Sequence, residues 1–170
     1  MNVKVIGAVM IITAGGIIGF CMGRMYTLQL EQLEQLIFAF DYIKCELLYR
    51  MSPLTDQFQQ CAQLTRGSVC TFFSEMTREL ESQIKPSAAY CMQAVISRTS
   101  ELSPAAIDVL TRMGKTLGNF DLQGQLACIE DTIAYAKNLL ADLKSKSTTR
   151  IRNYQTFGFC AGAALVIFFI

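Results

Sequence analysis

Seven cysteines are the most reactive side chains in this 170-residue chain, and their spacing argues against a shared site. Cys21, Cys45, Cys61, Cys70, Cys91, Cys128 and Cys160 lie at least nine residues apart, with no C-x-x-C pair. Zinc sites are built from close ligand pairs, so no metal site is expected. Histidine is absent. That removes the usual general base near neutral pH and the usual activator of a serine or cysteine nucleophile. Glu130 and Asp131 are adjacent, and adjacent helical residues point apart, so they do not form a paired-carboxylate site. Gly114-Lys115-Thr116 carries the end of a phosphate-binding loop. The full loop requires G-x-x-x-x-G-K-[ST] leading out of a strand, and Val109 stands where its first glycine belongs. Gly114 therefore reads as a close-packing position and Gly118 as a helix stop. No catalytic, metal-binding or cofactor-binding residue is assigned, and the chain is not expected to be an enzyme. The cysteines of its middle suit a reducing compartment, where cysteine serves as a small buried hydrophobe.

With little chemistry in the side chains, the arrangement of elements carries the argument. Val5 to Gly23 is a run of 19 residues without a charge, and Asn153 to Ile170 is a run of 18. A bilayer's hydrocarbon core is spanned by about 20 apolar helical residues, so each run is long enough. The expected organisation is an N-terminal transmembrane helix over 1–23, a helical body over 24–152 and a C-terminal transmembrane helix over 153–170. The first run makes a poor cleaved leader: its charged start is only Lys4 and the terminal amine, and Phe20 precedes Cys21 where a lipoprotein would have a small residue.

The body holds 14 of the 15 Lys/Arg and all 14 Asp/Glu, a net charge of zero. A nucleic-acid binder carries a basic excess, and none is expected here. Arg24 follows the first run, and Lys144, Lys146, Arg150 and Arg152 crowd the approach to the second. By the positive-inside rule the body is cytoplasmic and both termini lie across the membrane. Gly15, Gly19 and Gly23 share one face of the first run, and Gly158 and Gly162 have the same spacing in the second. Small residues at i and i+4 let helices approach closely in lipid, so these five are the expected transmembrane packing residues.

The body reads as all-α. It lacks sustained period-two alternation and Asn-Gly or Asp-Gly hairpin turns, while helix punctuation is frequent. Ser52-Pro53 and Ser103-Pro104 each place an N-cap serine before a first-turn proline. Lys85-Pro86-Ser87 breaks the chain, Gly67-Ser68 ends one helix and caps the next, and Gly118-Asn119 ends another before Asp121 caps the last. About six helices follow, near 24–50, 53–65, 69–84, 87–98, 104–117 and 121–152, the first and last continuous with the two spans. Those two carry heptads, Leu33-Leu36-Phe40-Ile43-Leu47 and Leu122-Leu126-Ile129-Ile133-Ala136-Leu140-Leu143. Packed antiparallel, they would form a stem leading from membrane to body; a parallel coiled-coil dimer is the other reading. Phe58, Phe72, Phe73, Met76, Leu80, Val95, Ile96, Ile107, Leu110 and Met113 need burial in a compact bundle. The Ser-Pro dipeptides at 52 and 103 hint weakly at two three-helix halves.

The chain resembles the stage III sporulation protein AB family of endospore-forming bacteria. The start carries Lys4-x-Ile6-Gly7-Ala8 and Ile18-Gly19-Phe20, followed by Glu46-Leu47-Leu48-Tyr49 and Pro53-Leu54. The second half carries Met113-Gly114-x-x-Leu117-Gly118-x-x-Asp121-x-Gln123-x-Gln125 and closes on Gly158-x-x-x-Gly162. The likeness spans the chain but is concentrated towards its ends, with 56–102 contributing little. Gln29 stands where the family pattern has a basic residue, which weakens any acidic or phospholipid contact there.

The resemblance implies a cut-down relative of the inner-membrane platform proteins of type II secretion and type IV pilus machines. It further implies a non-catalytic adaptor in the mother-cell membrane of a sporulating bacterium. Its partners would be a secretion-type ATPase, the stage III sporulation protein AA, and other membrane proteins of a secretion-like channel. Two groups could form a partner interface: Glu46, Tyr49 and Arg50 at one turn, and Asp121, Gln123 and Gln125 at another. Their plainer readings are an i,i+4 ion pair between Glu46 and Arg50 and a helix cap at Asp121. The alternative function is a self-associating membrane scaffold or regulator with no ATPase partner, a homo-oligomer built through the heptads and glycine faces.

Overall fold

In the structure, a computed structural model, backbone is described for residues 2–50, 52–82, 87–116 and 122–169, and side chains for 24–50, 52–82, 87–115 and 122–145. Every regular element among them is helical: α1 (Asn2–Tyr49), α2 (Leu54–Leu64), α3 (Gly67–Glu81), α4 (Ala88–Arg98), α5 (Pro104–Thr116) and α6 (Leu122–Phe169). The six expected helices are present, and α1 and α6 extend through the two apolar runs as single helices of 48 residues each. Residues 1–28 with 142–170 form one unit, and residues 29–141 form another. Side chains of the expected spans, including Gly15, Gly19, Gly23, Gly158 and Gly162, lie outside the described residues. Among the described residues no helix is long and apolar enough to cross a membrane.

The unit over 29–141 is organised by its long helices. The α1 heptad turns inward, with Leu33, Leu36, Phe40 and Ile43 essentially inaccessible and Leu47 half-buried. On α6, Ile129, Ile133 and Ala136 are buried, while Leu126 and Leu140 are half-buried. Leu122, expected to open that seam, is exposed at the first residue of its helix. Lys44 meets Glu130 at 2.5 Å and Asp41 meets Lys137 at 3.8 Å. Numbers rise on one helix as they fall on the other, so α1 and α6 pair antiparallel within one chain. These ion pairs are largely exposed and hold little; they report the register that the apolar seam sets.

The short helices pack in sequence, α2 on α3, α3 on α4 and α4 on α5. Phe73 joins two of them, its ring 5.8 Å from Phe58 on α2 and 5.4 Å from Phe72 on its own helix. Of the ten residues expected in this core, Leu80, Ile96 and Ile107 are half-buried and the rest are buried. Gly114 is buried where α5 crosses α4: a Cβ there would stand 2.8 Å from the Met92 sulfur, inside van der Waals contact. Its close-packing role follows from that distance.

Two of the expected helix starts differ from the sequence reading, for one reason. Ser52 does not cap α2, because its hydroxyl donates to Glu46 Oε2 at 2.9 Å; Pro53 is the N-cap and gives no side-chain bond. Ser68 does not cap α3 either, because its hydroxyl accepts from Gln32 Nε2 at 2.7 Å. Arg66 is the N-cap, its N–H donating to Gln35 Oε1 at 2.7 Å, and Gly67 follows with φ +59°, a conformation that costs a side-chain-bearing residue about 1 kcal/mol or more. In both cases a buried polar group on α1 takes the hydroxyl. Ser103 behaves as expected, accepting from the Ala106 N–H, and Ser87, read from sequence only as part of a chain break, caps α4 by accepting from the Tyr90 N–H. The two Ser-Pro dipeptides therefore share letters and not a role. The proposed stop at Gly118-Asn119 and the cap at Asp121 lie outside the described residues.

Gln32 is the polar centre of this unit. Besides Ser68 it donates to the Glu101 carbonyl at 3.0 Å, and its Oε1 accepts from Ser103 N–H at 2.8 Å. One amide on α1 thus binds the start of α3 and the corner between α4 and α5. Between Gln32 and the end of α1, the Cys61 thiol donates to the Ala39 carbonyl at 3.7 Å, and burial pushes that thiol up to about 12.

Candidate functional site

The first predicted interface group lies where α1 ends. Glu46 faces inward, 9% exposed, and its carboxylate accepts from Ser52 Oγ and from Arg50 Nη1 at 3.4 Å. Burial, then the hydrogen bond to Glu46, holds the Tyr42 phenol above its ordinary range. The Gln57 amide donates to the Ser52 carbonyl at 2.7 Å and closes the corner from α2. Glu46 is thus a clamp for the α1–α2 corner, and the i,i+4 pairing with Arg50 is present. Tyr49, by contrast, is 84% exposed, and the Arg50 side chain is mostly in solvent. A fixed corner presenting an aromatic ring and a guanidinium is suited to protein contact, because both groups give large contact area or directed hydrogen bonds.

In the second group, Gln123 is exposed and Gln125 half-buried near the start of α6, while Asp121 lies outside the described residues. The pairing of Lys44 with Glu130 settles their place. Moving from 44 to 50 along α1 corresponds to moving from 130 towards 124 along α6, since both helices rise about 1.5 Å per residue. Tyr49, Arg50, Gln123 and Gln125 therefore lie at the same end of the α1–α6 pair, although 73 residues separate Arg50 from Gln123.

Two surface features were missed from sequence. Between α5 and α6 the Tyr135 hydroxyl donates to Asp108 Oδ2, and the Arg112 guanidinium sits 5.0 Å from the centre of the Tyr135 ring. The bond to Asp108 raises the Tyr135 phenol above its ordinary range. A groove of about 440 Å³ adjoins them, its walls carrying Lys115 and Asp131 as well. A second groove, of about 470 Å³, runs between α4 and α5 past Tyr90, Met92, Ile96 and Gly114. Among the described residues, no three Cys, Asp or Glu side chains converge to hold a metal ion. The second missed feature is Phe38, 54% exposed on the α1 face opposite the heptad; an aromatic residue off the seam, between Leu36 and Phe40, was the available signal.

Comparison with known proteins bears on the whole chain. The stage III sporulation protein AB family model matches residues 4–170. The stage III sporulation protein AB of Bacillus subtilis (strain 168) is 28% identical over 166 residues, covering 96% of this chain and 97% of that protein. A solved structure of a stage III sporulation protein AB superposes with a TM-score of 0.65 at 24% identity, covering 71% of this chain and 97% of the solved one; at that identity the likeness speaks for the fold. A family match over nearly the entire length, joined to the same helical architecture, makes this chain a member of the stage III sporulation protein AB family.

Proposed function

We propose that this protein is a non-catalytic platform, or adaptor, of a secretion-like channel complex in endospore formation. It sits in the mother-cell membrane through its two apolar runs, with the body on the cytoplasmic side docking a secretion-type ATPase of the stage III sporulation protein AA kind. The observation that carries the reading is the pair of 48-residue helices α1 and α6, each one helix through an apolar run and a body segment. An ATPase that changes shape on hydrolysis does work on a channel only through something stiff, and unbroken helices are stiff. The exposed Tyr49 and Arg50, with Gln123 and Gln125 at the same end of the helix pair, supply a docking face. The scaffold alternative draws less support, since the α1 and α6 heptads it would use to oligomerise are occupied within one chain.

The test is binding between the purified full-length protein and the same organism's AA-type ATPase, with and without nucleotide. Association at micromolar or tighter, about −8 kcal/mol, is expected, and nucleotide dependence would identify coupling. No association by the folded protein sinks the adaptor reading. Flexible glycine linkers inserted beside Arg24 and Arg152 should abolish sporulation; undiminished sporulation would rule out mechanical transmission.

A further inference from the structure

The inward face of α1 is fully used, but its outward face is not. Phe38 and Cys45 are seven residues apart and Tyr49 follows four later, so the three lie on one line along the helix. Phe38 is 54% exposed, Tyr49 84% and neighbouring Leu48 45%, and Cys45 is also exposed. Single exposed hydrophobic residues are ordinary. A row of them at helical spacing on a helix anchored by Gln32 and Glu46 marks a contact surface. The row is bordered by acid: Glu31 and Glu34 are exposed and Asp41 is half-exposed on the same side. Three acidic residues lie on this side, Glu31, Glu34 and Asp41, against the single Lys44; Asp41 also meets Lys137 at 3.8 Å, and Glu46 faces inward and does not contribute. Lys44 is drawn aside to Glu130.

We propose that this outward face of α1, from Glu31 to Tyr49, is a docking ridge for a basic amphipathic helix of a partner protein. The seven-and-four spacing is the one that a single facing helix fills with its own apolar stripe. The acidic border selects lysine and arginine on the flanks of that stripe and repels nucleic acid and anionic lipid. The nineteen helical residues from Glu31 to Tyr49 offer a ridge about 28 Å long, which a partner helix of about five turns covers. The proposal shares Tyr49 and the need for a protein partner with the adaptor reading, and its test does not involve the ATPase.

The test uses the full chain in nanodiscs of phosphatidylcholine, with empty nanodiscs as counter-selection. A displayed library of helical peptides keeps an apolar stripe and draws every flanking position from Lys, Glu and Gln. Enrichment of net-basic sequences is expected. Binding should weaken about tenfold or more for a F38S/Y49S variant of unchanged helicity and melting temperature, and it should weaken with added salt. Enrichment of neutral or acidic peptides overturns the proposal, as does no enrichment, or equal binding to the double variant. Sedimentation showing a dimer of the native chain that Phe38→Ser dissociates would overturn it too, by assigning the ridge to a second copy.

Discussion

Gln32 and Glu46 stand fourteen residues apart on the same helix, both polar and both 9% exposed, and they hold different things. The partners of Gln32 lie 36, 69 and 71 residues away, on α3 and at the α4–α5 corner. Those of Glu46 are Tyr42, one turn before it, and Arg50 and Ser52, four and six residues after it. The amide therefore couples three separate parts of the bundle, whereas the carboxylate sets one corner. Equal burial does not mean equal consequence. What matters is how many otherwise buried groups lose their partner when the side chain goes, because an unsatisfied buried donor or acceptor is more damaging than a hydrogen bond is helpful.

That contrast can be broken most directly at Gln32. Gln32→Leu keeps the bulk but strands Ser68 Oγ, the Glu101 carbonyl and the Ser103 N–H, so a loss of about 3–5 kcal/mol is expected in chemical denaturation. A loss below about 1 kcal/mol would show that water replaces the amide and that the hub is not one. A steric counterpart is Gly114, where Gly114→Ala should destabilise by about 1–2 kcal/mol: the new Cβ meets the Met92 sulfur at 2.8 Å, and alanine's better helix propensity offsets part of the overpacking. In a double-mutant cycle, Gly114→Ala should cost less in a Met92→Ala background than in the native chain.

Cys61 lies between the two polar residues in this scheme, against the Ala39 carbonyl of α1. Its folded pKa is raised from 9.0 to about 12, so the folded state keeps a proton that the unfolded chain gives up. Its contribution is full below pH 9 and is lost as pH rises towards 12. At pH 10 the protein should be roughly 1 kcal/mol less stable than at neutral pH on this account. Cys61→Ala should flatten that dependence whatever it does to stability at pH 7; an unchanged slope would remove burial of the thiol as its cause. The smallest effect is expected at Glu46. Glu46→Gln keeps the Ser52 and Arg50 contacts in a neutral form and should cost about 1 kcal/mol. A loss equal to that of Gln32→Leu would erase the distinction drawn above.

How far the sequence reached differs between parts of the chain for a reason visible in these residues. The all-helical class, six elements, both heptads, the Ser103 cap, the Glu46–Arg50 pair and the tight place for Gly114 were legible. All but the last rest on the 3.6-residue period or on partners within one turn, and local sequence carries that information; Gly114 was marked by its residue type, though its neighbour Met92 is on α4. The serines at 52 and 68 were misread as caps because a hydroxyl beside a helix start has two uses, and the competitor for each sits on α1. Of the candidate interface residues, the sequence marked Tyr49 and Arg50 as polar or aromatic helix-end groups, but only the antiparallel register places them at the same end as Gln123 and Gln125.

By itself, then, the sequence determined the helices, which of their faces are apolar, and the family to which the chain belongs. Tertiary structure alone decided that the two heptads meet within one chain, that Gln32 turns inward to bind three distant groups, and that Phe38 turns outward beside them. The physical reason is one of range. Helical periodicity repeats every few residues and is written locally, whereas a hydrogen bond across 36 to 71 residues exists only after the bundle has closed around it.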